Sequence, residues 1–265
     1  MATLTSYTDF PTLEAQVKGE VLHLQLNRGT SNPINSQMIA DLKTAFEQAA
    51  QDEAIAGVIL KGKEKFFSSG LDLKEIYDFD AAQIKQFWLD FIQMVRVLAK
   101  FPKPFVVAVT GHSPAGGCVL SICADYRIMS EGDFIIGLNE IPVGIVVPEL
   151  IFDLYAFWIG NRLAYQYLLE GKLVAAADAK AIHLVDEVVP FAKMEAAAQE
   201  KMEDYLNFDP KTWQISKQNL RSQMIEKLEQ TDLETVLAPM LAQWWSPRTR
   251  AILKAVVDSL SKKAK

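Results

Sequence analysis

The hexapeptide VLHLQL at residues 21–26 alternates, with Leu22, Leu24 and Leu26 on one side and Val21, His23 and Gln25 on the other. A period of two predicts a strand with one buried face. A turn rich in Gly, Ser, Asn and Pro follows over residues 29–35, and Asn35 or Ser36 can cap a helix. Behind that cap, Ile39, Leu42, Phe46 and Ala49 recur at helical spacing. Gly57–Lys61 is the next strand, leading into the loop Phe66-Phe67-Ser68-Ser69-Gly70. The pattern predicts an amphipathic helix over residues 81–100, stopped by Pro102 and Pro104. Phe105–Val109 is apolar and β-branched, so it reads as a short strand. Residues 111–117 form a Gly-rich turn that opens a helix running through Cys123, and two more strands are predicted at 126–129 and 134–137. From about residue 148 onward the pattern is nearly all helical. Strands alternating with helices predict right-handed crossovers and a largely parallel sheet, an α/β fold.

Composition narrows the function. The 265 residues are 50% hydrophobic and 23% charged, enough for a large packed domain, or for a smaller one with an appendage, and unlike a disordered chain. The formal net charge of -6 argues against a nucleic-acid partner, which normally meets a basic face. Cys118 and Cys123 stand five positions apart in an apolar stretch and would fall on different faces of one helix, so buried reduced thiols are expected. With three histidines and neither HExxH nor CxxC, no metal site is expected. The segment MATLTSYTDFPTLEA lacks a basic, then apolar, export pattern, and no run of about 18 apolar residues suggests a membrane span. The expected address is the cytoplasm. Trp213, Trp244 and Trp245 crowd the last 70 residues, so that segment is expected to pack on the core or on a neighbouring subunit. Lys262, Lys263 and Lys265 read as a solvated tail.

Three segments can carry chemistry. In Phe67-Ser68-Ser69-Gly70-Leu71-Asp72-Leu73-Lys74-Glu75, a glycine at a strand-to-helix turn lets another molecule approach the backbone, although Asp72 and Glu75 also form a plain helix cap. In Ser113-Pro114-Ala115-Gly116-Gly117-Cys118-Val119, glycines at a helix start leave N–H groups able to hold a developing oxyanion, or simply allow close packing. In the apolar run 136–144, Glu140 is the single carboxylate; burial would raise its pKa toward that of a general base, whereas a solvated turn or an ion pair would leave it inert.

Taken together and in this order, the three segments resemble the crotonase, or enoyl-CoA hydratase/isomerase, superfamily. The resemblance runs from Leu26-Asn27-Arg28 through Leu169-Glu170-Gly171 and Asp178-Ala179-Lys180 to about Pro190. It implies a ββα spiral core over residues 1–195 and a C-terminal helical domain over 196–265, assembling as a homotrimer or a dimer of trimers. It further implies an acyl-CoA thioester substrate whose carbonyl oxygen is held by two backbone N–H groups, carried over here to Ser69 and Gly116. The backbone over Ser68, Gly70 and Leu71 would grip the CoA moiety, with Lys74 nearby and Arg28 in reach of a phosphate. Coenzyme A would arrive as part of the substrate, with no other cofactor.

The resemblance also separates two reactions. Hydratases of this superfamily use two carboxylates, one at the position of Glu140 and one at the position of Val119. Valine transfers no proton, and losing one member of an acid–base pair should cost hydration about 10²–10⁴-fold. Moving a double bond from C3 to C2 needs only one base. The segments 113–118 and 136–140 look like those of mitochondrial-type 3,2-enoyl-CoA isomerases, with Glu140 as the catalytic group. Dienoyl-CoA isomerases add an acid at the position of Pro148, where Glu149 is adjacent. His112 is expected to be a loop histidine, and Phe87, Trp88 and Phe91 read as ordinary core more readily than as an acyl pocket. An acyl-CoA-binding scaffold without catalysis is the competing class.

Overall fold

The computed structural model describes residues 7–230 and 232–262; Lys263 and Lys265 of the expected tail lie outside them, and Lys262 is exposed. Among the described residues, ten strands form two sheets. The larger joins β1 (Leu13–Lys18), β2 (Val21–Leu26), β3 (Gly57–Lys61), β5 (Phe105–Val109), β7 (Tyr126–Ser130) and β10 (Glu187–Val189), in that spatial order. Only β1 and β2 pair antiparallel, and every later pairing in this sheet is parallel. The smaller sheet joins β4 (Lys65–Phe66), β6 (Gly111–Pro114), β8 (Ile135–Gly137) and β9 (Val174–Ala175).

The crossovers follow the apolar periodicity. Helix α1 (Ser36–Gln51) is capped by Asn35, whose side chain accepts from the Met38 N–H at 3.0 Å. A four-residue turn of helix, α2 (Leu73–Ile76), precedes α3 (Ala81–Ala99), which starts in a capping box between Asp80 and Gln83. Helix α4 (Gly116–Ile122) opens at the second glycine of its turn. One face of the large sheet buries Leu22, Leu24, Leu26 and Val107 in the main core with Ile39, Phe46 and Ile92 from α1 and α3.

The other face is also covered. Helix α8 (Met194–Leu206) follows α5 (Glu149–Ile159), α6 (Asn161–Glu170) and α7 (Ala176–Ala181) and packs over β3, β5 and β7. Val21, Ile59, Val106 and Ile128 are thereby buried against Met194, Ala198 and Met202. The single buried face expected for β2 is therefore corrected to two, and His23 lies buried under this second layer. Because α8 caps the sheet, it belongs with the core by packing, although the expected division at 195/196 falls inside it. Four helices remain: α9 (Pro210–Leu220), α10 (Ser222–Gln230), α11 (Leu233–Trp244) and α12 (Pro247–Lys262). Trp244 is buried and Trp213 leans on Tyr205 with ring centres 4.4 Å apart, as expected of packed aromatics, whereas Trp245 stays 41% exposed.

Candidate active site

The loop after β4 is built from the inside. Phe67 and Ser68 donate their N–H groups to the His112 carbonyl at 3.0 and 3.2 Å. The Ser68 hydroxyl, fully buried, donates to the Asn32 carbonyl at 2.8 Å and accepts from the Gly70 N–H at 3.1 Å. Gly70 adopts φ +87°, and a Cβ there would stand 3.2 Å from that of Ala115, so a side chain would be strained and crowded. Ser68 and Gly70 thus shape the loop from within, and neither lines the cavity beside it.

Ile34 lies beside Leu71 as a parallel bridge, donating to the Gly70 carbonyl and accepting from the Asp72 N–H, both at 2.8 Å. In such a bridge the central residue turns its own N–H the other way. The Leu71 N–H has no hydrogen-bond partner among the described residues. It faces Gly116, where an added Cβ would stand 3.5 Å from the Leu71 nitrogen. The Gly116 amide opens α4, where no preceding helical turn can accept from it. Ala115 just before it is held at φ +49°, a costly conformation for a residue with a Cβ. Ser69, expected to supply the first amide, instead donates its N–H to the Ser31 carbonyl at 2.8 Å. The open donor opposite Gly116 is therefore that of Leu71, two residues on.

Glu140 follows β8 and leads into a 3₁₀ turn, Ile141–Val143. It lines a cavity of about 700 Å³ together with Ser69, Leu71, Lys74, Gly116 and Val119. The residue keeps some exposure as a whole, yet its Oε2 is sealed and has no partner among the described residues. Burial raises its pKa from 4.5 to about 7, slightly opposed by its own backbone N–H. The cavity's other carboxylate, Asp72, is committed elsewhere: it caps α2 and pairs with Arg28 at 2.7 Å. Arg28 also donates to the Pro33 carbonyl at 3.0 Å, so it braces the loop and does not line the cavity. Lys74 is exposed at the cavity rim.

Val119 and Pro148 line the cavity with Glu140, whereas Glu149 is exposed at the start of α5 and does not reach it. Trp88 and Phe91 line it too, so the helical aromatics exceed the ordinary core role expected of them; Phe87 alone keeps that role. His112 is a structural histidine, packed between Phe66 and Phe134 and accepting from the Ile135 N–H at 3.3 Å. Sequence reasoning missed Asn139, whose buried Oδ1 is unpartnered beside Glu140, and Val256 and Leu260, by which α12 forms part of the wall. Among the described residues, no group of three or more His, Cys, Asp or Glu could hold a metal ion, and no helix is long and apolar enough to cross a membrane.

An apolar cavity, two converging amides and one open carboxylate can polarise a carbonyl and move a proton beside it. Comparison with known proteins agrees in kind. The enoyl-CoA hydratase/isomerase family model matches residues 16–240. The mouse protein "Enoyl-CoA delta isomerase 1, mitochondrial" is 32% identical over 218 residues, 82% of this chain and 75% of that one. A Thermus thermophilus protein named "Putative enoyl-CoA hydratase" is 30% identical over 207 residues, 77% of this chain and 81% of its own. The crystal structure of human mitochondrial delta3-delta2-enoyl-CoA isomerase superposes with a TM-score of 0.91 at 24% identity, covering 96% of this chain and 100% of that one, a likeness of fold. The chain belongs to the enoyl-CoA hydratase/isomerase family, with its crotonase fold.

Proposed function

We propose that the protein is a 3,2-enoyl-CoA isomerase with Glu140 as its single proton carrier. The ionised Glu140 takes a proton from C2 of a 3-enoyl-CoA. The electron pair delocalises into a dienolate whose negative charge rests on the thioester oxygen, held by the N–H groups of Leu71 and Gly116. Glu140, now protonated, returns the proton at C4, leaving the double bond between C2 and C3 and the carboxylate ready for another cycle. Protons and charge balance with one base, and no external acid, metal or redox cofactor takes part. Coenzyme A is carried in on the substrate, with Lys74 at the rim placed to meet a phosphate of that moiety.

The observation that carries this reading is the solitude of Glu140. It is the one cavity-lining carboxylate without an ion-pair partner among the described residues, and the positions where a second would assist it hold Val119 and Pro148. Hydration requires a water to be oriented and its protons moved, and one carboxylate serves that poorly. The hydratase names among the relatives make that reaction the one to measure alongside.

The test is incubation with 3-hexenoyl-CoA and, separately, 2-hexenoyl-CoA. The expected result is 2-enoyl product from the first and little hydration of the second, with Glu140→Gln lowering isomerisation at least about 10³-fold while CoA esters still bind. Rapid hydration of the second substrate would replace this reading with a hydratase. Binding without turnover of either would leave a scaffold. The free, buried Cys118 and Cys123 suit the reducing cytoplasm, which is part of the same proposal.

A further inference from the structure

Behind the cavity wall stands a polar group that proton shuttling by Glu140 leaves unused. Tyr155, on α5, is fully buried, and its hydroxyl has no hydrogen-bond partner among the described residues. Buried phenols normally donate their O–H, and an orphan one costs about as much as a lost hydrogen bond. Ile151, one turn earlier on the same helix, lines the cavity, and α5 packs against α4, the helix of Val119. The Oε2 of Glu140 is likewise sealed and unpartnered. An open donor and an open acceptor therefore flank the same wall, and an ionised carboxylate is the stronger claimant on a phenol.

We infer that Tyr155 is a positioning residue for Glu140, its hydroxyl donating to the ionised carboxylate either directly, after a side-chain rotation, or through one bridging water. This rests on the reading of Glu140 as the proton shuttle. The electrostatics point the same way. The Tyr155 pKa is raised, first by burial and then by Cys118, Tyr167 and Glu140, so the phenol keeps its proton across the working range and can only donate to an anion. Those three, on α4, α6 and the loop after β8, are the groups within electrostatic reach of it among the described residues. Burial, with Glu140 adding to it, holds Cys118 as a neutral thiol. Arg127, within electrostatic reach of Cys118, is paired with Asp186 at 2.6 Å, and on α10, Lys227 pairs with Asp153 on a different face of α5. Glu140 is thus the anion available to Tyr155.

A hydrogen bond reserved for the ionised form lowers the pKa that burial raises, so Tyr155 tunes and aims the base. Tyr155→Phe keeps the ring and removes the donor. The expected result is that the acidic limb of kcat/KM for 3-hexenoyl-CoA moves to higher pH by about half a unit or more, with KM changed less than about twofold. Thermal stability at pH 8.5 of E140Q, Y155F and the double variant should be non-additive. An unmoved limb with additive stabilities would make Tyr155 a packing residue and overturn the inference while leaving the Glu140 shuttle intact. Wild-type turnover by E140Q would instead remove the shuttle, and this inference with it. Should Y155F fail to fold, a crystal structure of the wild type at pH 8.5 decides. The Tyr155 Oη within about 3.5 Å of Glu140 Oε2, or of a water shared with it, supports the inference, and neither contact overturns it.

Discussion

A carboxylate that ionises inside an apolar cavity works against the fold that holds it. Glu140 is ordinary at 4.5 when unfolded and is raised to about 7 by burial in the native protein. The native state therefore binds the extra proton. The stability this confers is full below pH 4.5 and is lost as the pH climbs through 7, the range in which the proposed base would ionise. Glu140→Gln removes the titration, so it should be more stable than wild type at pH 8.5 by up to about 3 kcal/mol and nearly equal to it at pH 4. Urea unfolding of both proteins at the two pH values measures this, and a difference independent of pH would mean that Glu140 is solvated. In activity the same titration should appear as loss of turnover below pH 7 with unit slope. The sequence singled out Glu140 as the lone carboxylate in the apolar run 136–144. Only the order of the three segments and their family resemblance pointed to it as a base, since a solvated turn or an ion pair fits a lone carboxylate as well. Leu71 was not legible, since which amide of the loop stays open depends on Ile34, remote in sequence, engaging the groups on either side of it.

The elements divide in the same way. Helices α1 and α3 and strands β3 and β5 were plain from periodicity and caps, because each buries a continuous stripe. Strand β6 read as a Gly-rich turn, because Gly111, His112, Ser113 and Pro114 have no strand propensity and are held extended only by pairing with β4 and β8. The two-residue strands β4 and β9 are too short to show any period. The C-terminal helices are fastened by a charge cluster that no local pattern announces. Asp125, just before β7, accepts from the Phe105 N–H at 2.9 Å and pairs with Lys217 of α9 at 2.7 Å and with Arg221 at 3.1 Å, all three being nearly inaccessible. Arg221 further donates to the carbonyls of Ala99, Cys123 and Ala124. Such a pair carries little net stability when intact, since desolvation offsets attraction, but removing one member strands the others. Asp125→Ala, leaving two buried cations with backbone carbonyls but no counter-ion, should destabilise the protein by about 3–5 kcal/mol. Chemical denaturation reads it, and a loss under about 1 kcal/mol would mean that the cluster is solvated and does not fasten the helices.

At the scale of the whole molecule, apolar surface remains that one chain does not cover. Ile141, Tyr165 and Leu169 are 40%, 64% and 55% exposed, and with Phe152 they surround a second hollow of about 440 Å³. Ile145, Val146 and Val147 line both this hollow and the cavity that holds Glu140. A surface of this kind fits the trimer, or dimer of trimers, proposed from the family resemblance, because aromatic and aliphatic side chains grouped beside a hollow are characteristic of subunit contacts. A neighbour seated there would press on the loop that begins at Glu140, so the proposed assembly would bear on the proposed reaction. Leu169→Glu places a charge in that contact without touching the cavity. The expected outcome is dissociation to a species of one third or one sixth of the wild-type mass by light scattering, with isomerase turnover per chain falling about tenfold or more as loop 141–147 loses its backing. A wild type that is already monomeric, or a variant that keeps its mass, would detach this surface from assembly; a monomeric variant with full turnover would separate assembly from the reaction.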